Sequence, residues 1–400
     1  MRRRLPPILG IFLTVFIDLL SFGLVIPDIQ LRGDALGATG IWRGLLIASF
    51  SIAQLITAPI LGRWSDAIGR RKILLVTCAM AAVSNLLYAH AEVLWMMLAA
   101  RVVLGVAGAN LGVAYAYIAD VTKPEDRAKS LGMIGAAFGL GFIFGPPTGA
   151  FLIKIGHGHP LVLGYVAATL CVINFLYVLF ILEESTPQAN AAEMRRASVK
   201  NLVIALGTPG LGFLLALFFI NNFGFANLES TYFLLTNKQF GMSQMEGAIL
   251  LTVVGIVSAF MQGYLIRVVQ PKFGEVRLLR FAWMCMVPSL ALVPFCPPWI
   301  PALLIIMVLG IATGLAQPSL SSLISRSAPA TMQGGVFGIT QGLGAMARIL
   351  GPMVGNYLFD VRHWAPYAMA ASLTAVPMVG SWRLRQPQAD VNVVESAPSG

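Results

Sequence analysis

The sequence predicts an all-α membrane protein, with twelve transmembrane helices in two pseudo-symmetric six-helix bundles. Three observations point to it. Of 400 residues, 57% are hydrophobic and 11% charged, and the mean hydropathy is +0.79. Soluble domains carry about 25% charged residues, so most of this chain needs lipid as its solvent. The apolar residues are gathered in runs long enough to cross about 30 Å of hydrocarbon. The second half of the chain also echoes the first.

Twelve such runs are found. The first six are expected near residues 8–29, 43–61, 73–90, 94–118, 131–153 and 162–182. The second six are expected near 209–233, 245–266, 276–295, 299–322, 333–358 and 364–382. Arg2, Arg3 and Arg4 before the first run imitate a signal peptide. The run is too long for an h-region, however, and no small-residue cleavage pattern ends it, so it reads as a retained helix entering from the cytoplasm. The longest polar connection, 183–208, holds Glu183, Glu184, Glu193, Arg195, Arg196 and Lys200. It is expected as a cytoplasmic linker between an N-terminal bundle (1–182) and a C-terminal bundle (209–385), with a polar tail at 386–400.

Between the second and third runs, Gly62 to Lys72 carries five charges in eleven residues. A charge at the centre of a membrane helix costs roughly 2.5–3.5 kcal/mol on insertion scales, so this stretch is expected as a tight polar loop. Gly62 and Gly69 permit close packing and a sharp turn there. Its basic residues mark the cytoplasmic side. With the N-terminus inside, 20 Lys and Arg fall in cytoplasmic segments and five outside (Arg32, Arg43, Lys154, Lys238, Arg362), while Arg101 and Arg348 lie within helices. That bias places both termini in the cytoplasm. The net charge of +10 is spread over these short loops and forms no aromatic-interleaved basic face, which excludes a nucleic-acid binder.

Cys78, Cys171, Cys285 and Cys296 are scattered in apolar runs and read as small buried hydrophobes, with no disulfide framework. His90, His157, His159 and His363 all stand at outer ends, which predicts no metal site. No cofactor is expected. There is no HExxH, Gly-x-Ser-x-Gly or phosphate-loop motif, so the chain is not read as an enzyme. Without an ATP site, ion or substrate gradients must supply the energy.

The internal repeat is concentrated in helices four and five against ten and eleven. Leu104-Gly105-Val106-Ala107 and Pro124 match Leu309-Gly310-Ile311-Ala312 and Pro329 at an offset of 205. Gly132, Gly145-Pro146 and Gly149 match Gly338, Gly351-Pro352 and Gly355 at 206. Repeated halves around a midplane site are a plan of secondary transporters.

The 62–72 segment resembles the major facilitator superfamily motif between helices two and three, Gly-x-x-x-Asp-x-x-Gly-Arg-Arg-Lys. Arg101 with Gly105 and Gly108 resembles that superfamily's fourth-helix motif. Gly135, Gly139, Gly145-Pro146-Pro147 and Gly149-Ala150 resemble the fifth-helix motif of drug:proton antiporters, with Ala150 in place of its final Gly. Phe16-Ile17-Asp18, Gly23-Leu24-Val25-Ile26-Pro27 and Tyr117-Ile118-Ala119-Asp120 look like the tetracycline-exporter-like group. The resemblance implies the major facilitator fold and a proton-coupled antiporter exporting a small amphipathic or drug-like compound by alternating access. Helices one, four, seven and ten would line the cavity. Ser84 and Cys285 stand where tetracycline exporters carry intramembrane aspartates, which argues against tetracycline itself. In the second half the loop motif is worn down to Gly263…Arg267…Lys272-Phe273-Gly274-Glu275.

Asp18 lies about ten residues into helix one, so about 15 Å deep. A carboxylate there is disfavoured when charged, which suits a group that binds and sheds a proton; the bland reading is a brace for helix one. Arg101 must find a cavity or a polar partner, and the resemblance implies a place near helix one in proton transfer; the bland reading is an arginine bound to carbonyls. Arg348 is either an anion-attracting wall or a clamp.

Gly62, Asp66, Gly69, Arg70, Arg71, Asp120 and Arg127 are read as a cytoplasmic gate. The resemblance puts Asp66 against the start of helix eleven and Arg70 against Asp120; an ordinary solvated loop is the alternative. Gly135, Gly139, Gly145, Pro146 and Gly149 are expected to pack helix five on helix eight and to bend it. Glu229, near the outer end of helix seven, is read first as a solvated rim residue and second as a substrate or proton site. Gln54, Asn110, Tyr115, Asn221, Asn222 and Gln341 are further cavity candidates; Asn227 and Gln262 are polar too.

The expected partners are a small molecule, protons and the lipid bilayer, with no nucleic acid. The protein is expected as a monomer in a bacterial inner membrane. Two other readings are a metabolite or organic-anion importer or facilitator of the same fold, and a membrane receptor or scaffold without transport.

Overall fold

The computed structural model describes residues 7–122, 127–185, 210–296, 300–328 and 333–383. They form twelve helices. In the first half these are α1 (Pro7–Ala35), α2 (Gly40–Ile68), α3 (Arg70–Ala89), α4 (Leu94–Val121), α5 (Arg127–Ile155) and α6 (Leu161–Phe180). In the second they are α7 (Leu211–Phe240), α8 (Gln244–Phe273), α9 (Glu275–Leu292), α10 (Ile300–Ser327), α11 (Gln333–Val361) and α12 (Ala365–Gly380). Ten are long and apolar enough to cross a membrane, and α11 and α12 complete the twelve. Of the expected linker only Glu183–Ser185 is described; the rest of it, and the tail 386–400, lie outside the described residues.

The helices run on well beyond the apolar runs. At 1.5 Å per residue the 29 residues of α2 reach about 44 Å, more than the hydrocarbon needs. This corrects the expected loop at 62–72: Gly62 to Ile68 is helical, and Gly69 alone, at φ +108°, makes the turn into α3. Charges forbid hydrocarbon but not helix, so the helix carries them out of the apolar layer.

Local sequence sets other boundaries. α7 ends on Gly241 in the left-handed conformation, and α8 opens with a capping box between Ser243 and Glu246. α4 breaks at Ala109 into Leu94–Gly108 and Asn110–Val121. The carbonyl of Gly108 exposed at that break accepts from Gln54 Nε2 at 2.8 Å. α8 contains a π-turn at Met261–Leu265.

The packing obeys the repeat. α1–α5, α1–α6, α2–α4, α3–α4 and α3–α6 in the first half recur as α7–α11, α7–α12, α8–α10, α9–α10 and α9–α12 in the second. The main contacts between halves, α2–α11 and α5–α8, are related in the same way. Each half buries its own core: Tyr117, Ile134 and Leu74 belong to one, Trp283, Leu315 and Tyr367 to the other. A smaller cluster joins them, where Ile26 and Ala150 meet Phe233, Leu251 and Ile306.

Glycines mark the tightest of these pairings. A Cβ on Gly145 would stand 2.6 Å from Gly23 Cα, and one on Gly23 would stand 2.8 Å from the Gly141 carbonyl. The α5 glycines 141, 145 and 149 therefore face α1 within their own bundle. This corrects the expected α5–α8 glycine seam: only Gly139 looks toward α8, at Ala259, and Gly135 faces open space. Glycines at every fourth position share one helix face, and Gly141, Gly145 and Gly149 are one such row while Gly135 and Gly139 are another.

Gly145→Ala should force α1 and α5 apart and cost roughly 1–3 kcal/mol. Gly135→Ala should be neutral or raise stability by up to about 1 kcal/mol through helix propensity. Melting temperatures of the two purified variants in detergent would show the order.

Candidate functional site

Asp18 projects from α1 into its own bundle and is half-buried. Asn110 Nδ2 donates to its Oδ2 at 2.6 Å, and Asn174 Nδ2 donates to Oδ1 at 2.9 Å. The break in α4 starts a new helical piece at Asn110, which sets that amide against α1. Asn174 also donates to the Thr14 carbonyl at 3.1 Å, which fixes α6 to α1 beside the acid. Asn110 was legible as a candidate, whereas Asn174 was not, because it sits alone in the apolar run of α6.

Arg101 does not join Asp18. Its guanidinium lies between the rings of Phe22 and Phe50, 5.5 and 5.1 Å from their centroids, and its Nε donates to the Leu46 carbonyl at 3.3 Å. At 5% exposure a cation needs such partners; aromatic faces supply a favourable field without a counter-charge. The arginine is thus near α1, through Phe22, and bound to a carbonyl of α2.

Glu229 is half-buried, and the rim reading is corrected. Eleven residues of α7 follow it, up to and including Phe240, about 16 Å of helix, so its carboxylate lies well inside the span. It stands within electrostatic reach of Arg348 on α11 and Arg101 on α4. Arg348 bends back over Gly344 near Phe218 and is exposed. Three charges from α4, α7 and α11 are therefore collected from both halves.

The remaining polar candidates divide. Asn221 accepts from Trp283 Nε1 at 3.2 Å and donates to Gln317 Oε1 at 3.4 Å, linking α7, α9 and α10. Asn222 donates to the Phe218 carbonyl of its own helix, and Gln262 Nε2 donates to the Ser258 hydroxyl one turn earlier. Gln341 is exposed and Tyr115 half-buried. Asn227 is fully buried with both side-chain polar atoms unpartnered.

At one end of the molecule, Arg70 is 1% exposed. It donates to Asp120 Oδ2 at 3.1 Å and to Ser65 Oγ, and it pairs with Asp66 four residues earlier. Ser185 Oγ also donates to Asp120 Oδ2, at 3.0 Å. Arg71 donates to the carbonyls of Val178 and Leu179 and, from its backbone, to Glu184. Gly69 leaves the space that Glu184 fills. Arg70 and Arg71 thus staple α3 to α4 and to the end of α6, while Gly62 faces open space. Arg127 opens α5; its side chain and the residues just before α11 lie outside the described ones.

The second half carries the same device with its charges exchanged. Glu275, the first residue of α9, accepts from Arg326 at 3.0 Å, and from Gln270 and Ser322 at 3.2 Å each. Arg70 and Glu275 are 205 apart, Asp120 and Arg326 206 apart, the offsets of the repeat. The motif that reads as worn down in sequence is preserved as an ion pair of opposite polarity.

The opposite end holds a cluster that sequence reasoning missed. Arg43, 3% exposed, pairs with Asp34 at the end of α1 and with Asp360 on α11. Lys238 on α7 pairs with Asp34 at 2.7 Å. A Cβ on Gly44 would stand 2.6 Å from the Pro352 carbonyl, so α2 and α11 touch backbone to backbone beneath these charges. Two of the pairs join the halves. Also missed was Asp28, 3% exposed, which accepts from Tyr88 Oη at 2.7 Å; Pro27 beside it reads as a helix-one signature and hid it.

Asp120→Asn should cost roughly 3–5 kcal/mol, because it leaves the buried Arg70 with an incomplete set of counter-charges. Arg326→Ala, whose guanidinium is 44% exposed, should cost under about 1 kcal/mol. Thermal unfolding of the two variants would test whether the first-half staple is the stronger.

The Major Facilitator Superfamily pattern matches residues 11–352. Multidrug resistance protein 1 of Bacillus subtilis (strain 168) is 30% identical over 372 residues, covering 92% of this chain and 94% of that protein. Tetracycline resistance protein, class E, of Escherichia coli is 30% identical over 360 residues, covering 86% of each. The crystal structure of a mutant of the nucleoside transporter NupG superposes with a TM-score of 0.75 at 16% identity, covering 94% of this chain and 99% of that one. Twelve helices, paired halves and charged ends fit this family throughout, and the chain belongs to the Major Facilitator Superfamily.

Proposed function

We propose that the protein is a proton-coupled antiporter that exports a small amphipathic, drug-like compound by alternating access. One observation carries the reading. Asp18 is a carboxylate inside the bundle whose two bonded partners, Asn110 and Asn174, are neutral amides. Protonation of such a group leaves no buried cation stranded, so the acid can load and unload without dismantling its surroundings. The similar proteins named for multidrug and tetracycline resistance support export of this substrate class.

The ends act as gates in this reading. The Arg43 end is the outer one and is closed here by Asp34, Asp360 and Lys238; the Arg70 end is cytoplasmic. Both termini lie in the cytoplasm, the linker 183–208 joins two bundles, and the carrier works as a monomer in a bacterial inner membrane. It moves its solute chemically unchanged and is not an enzyme.

Import of an organic anion is the weaker reading. Arg101 and Arg348 favour anions, but Glu229 lies in the same field and offsets one of the two charges.

Purified protein in liposomes loaded with a pH-reporting dye tests the proposal against a panel of amphipathic toxic compounds. Wild type should move protons counter to the compound. Asp18→Asn should keep substrate counterflow and fall to the proton signal of empty vesicles. Proton-linked transport by that variant at the wild-type rate would sink the mechanism.

A further inference from the structure

The closure at the Arg43 end has a dry layer beneath its charges. At the rim, the side chains of Asp34 and Lys238 are 27% and 35% exposed. Gln30 lies one turn further in along α1, about 6 Å, and is 3% exposed. Its Nε2 donates to the backbone carbonyl of Glu229 on α7 at 2.9 Å. This hydrogen bond joins the two halves, and it grips α7 at one of the charged residues of the interior. Leu31, beside Gln30, packs against the core of the second half. One turn deeper, Ile26 enters the apolar cluster that joins the halves, with Tyr232 and Phe233.

The amide holds this seam loosely. The Glu229 carbonyl lies inside α7 and has its own helix partner, so the bond from Gln30 uses its second lone pair. Gln30 Oε1 is buried without a partner among the described residues. Turning the amide over would set oxygen against oxygen, so the closed seam satisfies only one of its two ends. The bond made and the acceptor left unmet act in opposite directions. When the halves part, water reaches both ends of the amide, and opening costs this layer little. A leucine there would gain by staying out of water and would lock the seam. A carboxylate would face a carbonyl with no donor between them and would push the seam apart.

We propose that Gln30 is the inner gate residue of the outer end, a neutral latch between α1 and α7 that sets how often that end opens. Closed, its amide and the apolar cluster below it hold α7 to α1 behind the wet ion pairs. Open, the amide turns to water and α7 is released. Gln30 acts as a positioning residue, through the backbone of α7. The proposal rests on the alternating-access reading for its role in transport, but the opening itself can be measured without substrate.

The test uses the full chain in liposomes, with Ile26→Cys, a position 8% exposed, and a small water-soluble maleimide on both faces of the membrane. Labelling is read peptide by peptide by mass spectrometry. Buried between the halves, the new thiol reacts when the outer end opens. Native Cys171, 1% exposed inside the first bundle, reports any loosening of the fold. Gln30→Leu should slow labelling at position 26 about tenfold, the effect of keeping one leucine out of water. Gln30→Glu should speed it by about as much, and neither should change the rate at Cys171. If Gln30→Glu does not fold, Gln30→Leu, close to wild type in volume, carries the test. Rates at position 26 that stay unchanged or shift the same way in both variants overturn the proposal, as does a Cys171 rate that moves with them. If the two variants part as expected while wild type carries no protons against the compound panel, Gln30 stands and the antiporter reading falls. If wild type exchanges protons for a compound and the labelling rates coincide, Gln30 alone falls.

Discussion

Glycine contacts between helices of the same half hold the whole arrangement together. Lipid tails are as apolar as leucine, so helices in a bilayer gain little by hiding apolar side chains from them. What holds them is close approach and the dispersion it permits. Gly23 against Gly145 brings α1 onto α5, and Gly351 and Gly355 bring α11 onto Phe223 and Asn227 of α7. Gly105 meets Phe50 and Ala53 of α2, and Gly310 and Gly314 meet Val254, Val257 and Ser258 of α8. These seams are related by the repeat and lie inside a bundle. Each half is thereby a stiff body, and motion is left to the α2–α11 and α5–α8 surfaces.

The ion pairs divide along the same line. Arg70–Asp120 and Glu275–Arg326 are both internal to a half, and each joins the start of one helix to the end of the next. A guanidinium at Arg70 and a carboxylate at Glu275 serve the same geometry, since a pair is indifferent to which side carries which sign. Arg43–Asp360 and Lys238–Asp34 instead cross between halves. The Lys238–Asp34 pair is open to water on both sides, 35% and 27% exposed, and breaks cheaply. The Arg43 side chain is only 2% exposed, so its pairs with Asp34 and Asp360 can part only where water reaches the guanidinium as the end opens.

Much of this architecture was legible in the sequence. Composition and run length gave twelve spans, and Gly-Pro registers at a fixed offset gave the repeat that the packing obeys. Helix ends were not legible, because hydropathy measures only the part of a helix that lipid solvates; α2 continues past Leu61 through seven more residues. Helix faces were not legible either. Gly135 and Gly145 belong to one motif, yet one faces open space and the other a neighbouring backbone, and the rotation that separates them depends on where α1 lies. Asp34 and Lys238 are 204 residues apart, and nothing local to either announces the other. Arg101 and Asp18 both register as intramembrane charges, but only packing shows that rings satisfy the one and amides the other.

The carboxylates buried along α1 are bonded within their own half. Asp18 takes both its donors, Asn110 and Asn174, from the first bundle, and Asp28 takes Tyr88 Oη from the same one. When stiff bundles rock against one another those donors move with the acids, so the hydrogen bonds persist and only access to water changes. Such an acid can carry a proton between two openings, and its ionisation biases one state over the other only by as much as its hydration differs between them. The bonds that rocking must break are instead the ones that cross between halves, among them Arg43 with Asp360 and Lys238 with Asp34.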